Sequence, residues 1–187
     1  MWEYKKILEY PVKITKPDLK FASILISAVG GYPGELNACL RYFSQVKTMP
    51  DERGRNLLLE IATEEMAHVE ILVEMIYQLT KDLKIEDYKV LQKEAMYVEH
   101  KKGIYPSDSF GNPYTVTYFA STGDYLADLS EDMAAEEKAR SGYEHLMDLT
   151  NNPEILGPLS FLRQREIVHF ERFKEAYNYY KKMNEKE

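Results

Sequence analysis

The feature that most restricts this chain is a repeat of chemistry. Glu65-Met66-Ala67-His68-Val69-Glu70 and Glu166-Ile167-Val168-His169-Phe170-Glu171 both read Glu-x-x-His-x-Glu, 101 positions apart (166 − 65). Thirty positions before each motif (65 − 35, 166 − 136) stand Glu35 and Glu136. Ala38 and Tyr42 follow Glu35 at the offsets at which Ala139 and Tyr143 follow Glu136, and this register selects Glu136 over Glu137. Residues three apart on an α-helix share a face, about 5–6 Å between Cβ atoms, so a glutamate and a histidine so spaced can reach one divalent cation. A lone glutamate on a paired helix adds a ligand, and two hairpins supply the set twice. One ion can use only one set comfortably. Two ions bridged by carboxylate are therefore the natural occupants, as in di-iron and di-manganese carboxylate bundles. A single Glu-x-x-His is weak evidence, and alone it favours solvated charges. Two copies in register are stronger, above all with Ile61, Ala62, Ala67, Ile71 and Leu72 around the first. Carboxylates in such surroundings are costly unless metals or protons neutralise them.

Hydrophobic periodicity puts both motifs on helices. Leu19, Ala22, Ile26 and Val29 recur at spacings of three and four, predicting a helix from about Asp18 to Val46 that Gly30, Gly31, Pro33 and Gly34 kink or split. Pro50 and Asp51 start a second helix that runs to about Lys81. Residues 82–122 read as irregular, with turns at Gly103, Pro106, Gly111 and Pro113 and one short helix near Ile85 to Lys93. A third helix is expected from about Asp124 to Thr150. A fourth follows from Pro153 to about Met183, with Asn152 as N-cap and Pro153 at the first helical position. Short, long and short connections make two antiparallel hairpins joined by one crossover. The expected fold is all-α, a ferritin-like four-helix bundle with its long crossover between helices two and three. The length fits one domain over residues 1–187, with residues 1–17 as an N-terminal arm and 82–122 as the crossover.

Composition narrows the function classes. Lys and Arg total 24 against 31 Asp and Glu, a net charge of −7, so no basic excess exists to neutralise nucleic-acid phosphates. The lone cysteine, Cys39, excludes an intrachain disulfide and any four-cysteine metal site, and reads as a small core residue. The N-terminus lacks the apolar core of a signal peptide. No run approaches the roughly 18 apolar residues that would span a bilayer, so no membrane role and a cytoplasmic location are expected. Tyr42 and Tyr143, two turns beyond Glu35 and Glu136 on the same face, can hydrogen-bond ligand carboxylates and orient them. Glu70 and Glu171 point away from the metals, and His100 and His145, unmatched by the repeat, are not expected to be ligands. The glycines before Glu35 either leave a path to the metals or only kink the helix.

At these residues the sequence resembles the manganese catalases, over nearly its whole length. The resemblance is carried by Tyr10-Pro11, Gly30-Gly31 with Gly34-Glu35, Thr63 through Glu70, Ala134 through Arg140, and Arg165 through His169. The Gly-Gly-x-x-Gly-Glu and Thr-Glu-Glu-x-x-His elements are more specific than the general ferritin-like pattern, and the likeness is nearest to a short branch of the family found in spore coats. It implies two manganese ions per chain and the disproportionation of hydrogen peroxide to water and oxygen. It also implies a homo-oligomer, with a hexamer as one candidate, and a place in the cytoplasm or in the spore coat among other coat proteins. Carried over residue by residue, Glu35 and His68 would bind one manganese, Glu136 and His169 the other, and Glu65 would bridge them. Glu166 would be an outer-sphere carboxylate acting on protons, whereas a generic di-iron bundle would make it a ligand. The chain stops soon after helix four, where longer members continue in an extension that embraces neighbouring subunits, so the resemblance carries over the ligand set but not the oligomer contacts. Larger members carry an arginine beside the third-helix glutamate. Here Ala135 precedes Glu136, so a gating arginine must come from elsewhere, with Arg140 and Arg163 as candidates. Histidine and carboxylate suit manganese and iron alike, so the ligand types leave iron open. The rival readings are a di-iron oxidase or peroxidase of the rubrerythrin type, a ferritin-like store, and a mainly structural spore coat protein.

Overall fold

Asp18 opens the first helix by accepting a 2.9 Å hydrogen bond from the Phe21 N–H, which satisfies a donor that has no partner within the helix. The computed structural model describes residues 3, 5, 7–90, 107–119 and 121–185. Helix α1, Leu19–Gly30, ends at the glycine pair, and α2 restarts at Glu35–Gln45. The helix is thus split rather than kinked. The Asn37 side chain ties the break by donating to the carbonyls of Gly30 and Gly31 at 3.1 and 2.5 Å. A Cβ on Gly34 would lie 2.7 Å from the Gly30 nitrogen, so only glycine permits this approach. The break makes Glu35 the first residue of α2, where the helix dipole favours a carboxylate.

Helix α3, Glu52–Thr80, is capped by Asp51, whose carboxylate accepts from the Gly54 N–H at 2.9 Å and from the Tyr180 hydroxyl at 2.6 Å. A short α4, Ile85–Val90, follows. The remainder of the helix expected up to Lys93 lies outside the described residues. Helix α5, Tyr125–Asp148, is capped by Asp124, and α6, Pro153–Asn184, by Asn152 with Pro153 at its start. Single turns of 3₁₀ helix occur at Val46–Thr48 and Val116–Tyr118. No strand occurs among the described residues, only one isolated bridge between Ser107 and Pro113. Helix α5 packs along α6, and α1 and α2 pack along α3. The four main helices are therefore the broken α1–α2 rod, α3, α5 and α6. No helix of the described residues is long and apolar enough to cross a membrane.

The core is divided, and the division positions the site. At one end Leu25, Ile26, Ile71, Leu72, Met75, Leu159 and Leu162 pack together. At the other, Tyr42, Leu58, Ile61, Ala62, Leu129, Phe173 and Tyr180 do the same. Burying one side chain of leucine size stabilises by roughly 1.5–3 kcal/mol. On α3 the layer between the two cores is Glu65 and His68; on antiparallel α6 it is Glu166 and His169. Both helices cross the middle of the bundle with a buried polar turn held between apolar turns. Along their outer seam, ion pairs join Arg53 to Glu175, Glu60 to Arg172 and Glu64 to Arg165.

Candidate metal centre

Six side chains from four helices converge on the middle layer: Glu35 from α2, Glu65 and His68 from α3, Glu136 from α5, and Glu166 and His169 from α6. None is more than 2% exposed. They form two groups, Glu35–Glu65–His68–Glu166 and Glu65–Glu136–Glu166–His169, each with one donor atom per residue lying within 4.8 Å of all the others. Glu65 and Glu166 belong to both. Glu65 turns one oxygen to each histidine, with Oε2 2.8 Å from His68 Nδ1 and Oε1 2.8 Å from His169 Nδ1. Glu166 Oε1 and Glu35 Oε2 stand 3.7 and 3.8 Å from His68 Nδ1, and Glu136 Oε2 stands 3.7 Å from His169 Nδ1. The imidazoles stack at 22° with centroids 5.6 Å apart. Nδ1 therefore faces inward in both.

The donor set fits divalent cations. Glu65 Oε1, Glu166 Oε1 and His169 Nδ1 are buried without a hydrogen-bond partner. The 2.8 Å contact between His169 Nδ1 and Glu65 Oε1 is thus an approach of two donor atoms without hydrogen-bond geometry. Buried polar atoms are rarely left so, and a cation would satisfy them. Four carboxylates and two neutral imidazoles balance the charge of two divalent ions. Without metal, protons do this work. Burial first, then the Glu65 charge, pushes Glu35 up to about 8. Burial likewise raises Glu136 and Glu166. Glu65 goes the other way: burial opposes its charge, but His169 and His68 hold it below the usual carboxylate range. Burial disfavours charge on the histidines too, but Glu65 and its neighbours outweigh it, lifting His68 to about 10 and His169 to about 12. These directions favour negative charge on Glu65 and protons on the facing imidazoles, and metals would displace those protons.

Both tyrosines singled out by the repeat reach the site, and they cross. Tyr42 of α2 donates its hydroxyl to Glu136 of α5 at 2.5 Å, and Tyr143 of α5 donates to Glu35 of α2. Burial, then the facing carboxylate, raises both phenol pKa values, so each keeps its proton.

A cavity of about 20 Å³ opens on Glu35, Glu136 and Glu166 between α2 and α5, room for about one water-sized molecule. Gly34, Ala38 and Ala135 line its wall, and Tyr32 and Lys138 stand at its edge. Of the three glycines considered as a path, Gly34 borders this cavity while Gly30 packs against the Tyr114 ring. The arginine on the cavity is Arg41, not Arg140 or Arg163. Arg41 is buried; its Nη2 donates to the Tyr118 carbonyl at 3.1 Å and its Nε has no partner. Arg140 and Arg163 are both drawn to Glu144 on the outer side of the α5–α6 hairpin, with Glu137 as a second partner of Arg140.

The other residues considered fall elsewhere. His145 is exposed on α5, Glu171 pairs with Lys174, and His100 lies outside the described residues. Cys39 is buried, and burial pushes its thiol up to about 12, leaving it inert. Sequence reasoning missed Glu64, whose carboxylate lies behind both imidazoles, 3.8 Å from His68 Nε2 and 3.3 Å from His169 Nε2. It also missed Glu9 of the N-terminal arm, 3.8 Å from His68 Nε2.

A broken first helix, two Glu-x-x-His helices and a shared central glutamate define a ferritin-like bundle with two carboxylate–histidine groups at its middle, an arrangement compatible with a dinuclear metal site. The chain matches the manganese containing catalase family over residues 1–187 and belongs to that family. It is 44% identical to Protein CotJC of Bacillus subtilis over 186 residues, covering 100% of this chain and 98% of that one. It is 34% identical to a probable manganese catalase of Clostridium acetobutylicum over 169 residues, covering 89% and 74%. The crystal structure of KatB, a manganese catalase from Anabaena, matches with a TM-score of 0.87 at 32% identity, covering 95% of this chain and 80% of that one.

Proposed function

We propose that this chain is a dimanganese catalase that converts two molecules of hydrogen peroxide to two of water and one of oxygen. The observation that carries the reading is the sharing of Glu65 between two equivalent glutamate–histidine sets beneath a cavity of about 20 Å³. Glu35 and His68 would hold one ion, Glu136 and His169 the other, with Glu65 between them. When bound, the two manganese ions supply a two-electron store, cycling together between the +2 and +3 states, and Lewis acidity toward peroxide.

The chain's own residues do the rest. The cavity of about 20 Å³ gives only small molecules room beside Glu35, Glu136 and Glu166. Tyr42 and Tyr143 hold the carboxylates of Glu136 and Glu35 in place. Glu166 opens on the cavity, and its burial raises its affinity for protons. It is suited to accept a proton from one peroxide and return it to a leaving oxygen, the work of a general base and acid. Membership of the manganese catalase family favours manganese over iron at this site. A homo-oligomer, and a location in the cytoplasm or spore coat, belong to the same proposal. The spore coat follows from the resemblance to the short branch of the family, and the likeness to CotJC runs the length of both chains.

The test is peroxide loss by the manganese-loaded protein with no reductant present. Steady consumption supports the proposal. A rubrerythrin-type peroxidase would need an electron donor, and a purely structural coat protein would consume nothing.

A further inference from the structure

We infer that Glu64 is a positioning residue that orients both metal-site histidines from behind, one carboxylate oxygen to each ring. The inference rests on the two-metal reading above. An imidazole that gives Nδ1 to a metal carries its proton on Nε2, and that N–H needs an acceptor when buried. Both Nε2 atoms are buried and neither has a hydrogen-bond partner. Glu64 is the carboxylate common to the two: Oε2 lies 3.3 Å from His169 Nε2 and Oε1 lies 3.8 Å from His68 Nε2. Carboxylates behind metal-bound histidines fix ring orientation and raise ligand basicity. With the Nε2 protons pointing at it, the group formed by Glu9, Glu64 and His68 is an acceptor for those protons, not a third metal site.

The internal repeat explains why one carboxylate serves both rings. Glu64 precedes Glu65 and Arg165 precedes Glu166, so the two occupy the same position of their repeats, 101 apart. Equivalent positions beside the axis relating two repeats meet each other. Two glutamates there would repel. The chain instead carries opposite charges, and Arg165 pairs with Glu64. The reversal of charge at this position leaves a single anion beside the two histidines.

Manganese titration, followed by the EPR signal of the free ion, tests this on the whole chain. Glu64→Ala should weaken both half-sites by about 10–100-fold. Glu64→Gln keeps one acceptor oxygen and the side chain's size, so it should split the half-sites, leaving one near the parent and one about 10-fold weaker. Glu60→Gln breaks the next ion pair of the same seam, with Arg172, without touching a histidine, and should bind like the parent. Unchanged affinities in Glu64→Ala and Glu64→Gln would overturn the inference, as would an equal loss in Glu60→Gln. A parent that binds no manganese would instead contradict the two-metal reading.

Discussion

Tyr143 and Glu35, 108 positions apart in the chain, share a buried hydrogen bond across the α5–α2 interface. Tyr42 and Glu136 make the converse bond. Each hairpin thus orients the lone glutamate of the other.

That crossing predicts which half-site each tyrosine serves. Tyr143→Phe removes the bond to Glu35 and should weaken the His68 half-site, although Tyr143 lies on the hairpin of His169. Tyr42→Phe should weaken the His169 half-site. Losses of about 10-fold are expected for partners of metal ligands. Metal titrations combined with His68→Ala or His169→Ala tell the half-sites apart. Weakening confined to each tyrosine's own hairpin would be the opposite result.

Metal removal should invert the pH dependence of stability. In the metal-free protein the folded-state value of Glu35 is raised from 4.5 to about 8. Its contribution is complete below the unfolded value and is lost as pH rises through about 8. His68 and His169, raised from 6.5 to about 10 and about 12, contribute fully below 6.5 and lose that contribution as pH rises toward those values. All three act in the same direction. In chelator, the melting temperature should fall by several degrees between about pH 6 and about pH 9. With manganese it should hold or rise over this range, because metals take the place of the protons. A metal-free melting temperature that rises with pH would contradict the protonation pattern of the centre.

The six central residues were legible because a three-residue spacing on a helix has only one geometric outcome. Glu65 with His68, and Glu166 with His169, had to share faces, and the repeat then pointed to Glu35 and Glu136. The caps at Asp51 and Asn152 were legible for a similar reason, since orphan N–H groups at helix starts need such side chains. The split at Gly30–Gly34 was not decided by composition, because it depends on how closely Gly34 approaches Gly30. Glu64 was hidden by its neighbour. It stands four residues before His68, a spacing that puts both on one helix face, but the repeat offers no second copy to mark it, because Arg165 holds the equivalent position. Its place follows from which imidazole nitrogen turns inward. Arg140 and Arg163 were misjudged because Glu144, a surface residue one turn along α5 from Arg140, captures both, while Arg41 reaches the cavity from another helix.

Glu166 lies in both donor groups, and its role is separable by substitution. Glu166→Gln should keep close to two manganese ions per chain and lose about 10²–10⁴-fold in turnover, because a carboxamide cannot carry the proton. Metal analysis and a peroxide assay on one sample check both halves. Loss of metal would make Glu166 a ligand, as in a di-iron bundle.

The cavity wall offers a test of access that leaves the centre alone. Ala135→Leu should fill a space of about 20 Å³ and reduce kcat/KM by at least about tenfold, with metal content and visible spectrum unchanged. Parent-like kinetics in this variant would show that peroxide enters elsewhere.

The central claim is that one peroxide supplies both electrons and both oxygen atoms of the product. An equal mixture of unlabelled and doubly ¹⁸O-labelled peroxide, given to the manganese-loaded protein without reductant, tests it most directly by mass spectrometry. The account predicts one oxygen molecule for every two peroxides consumed, unlabelled or doubly labelled, with no mixed species. Peroxide consumed without oxygen, or a large mixed-label fraction, would contradict it.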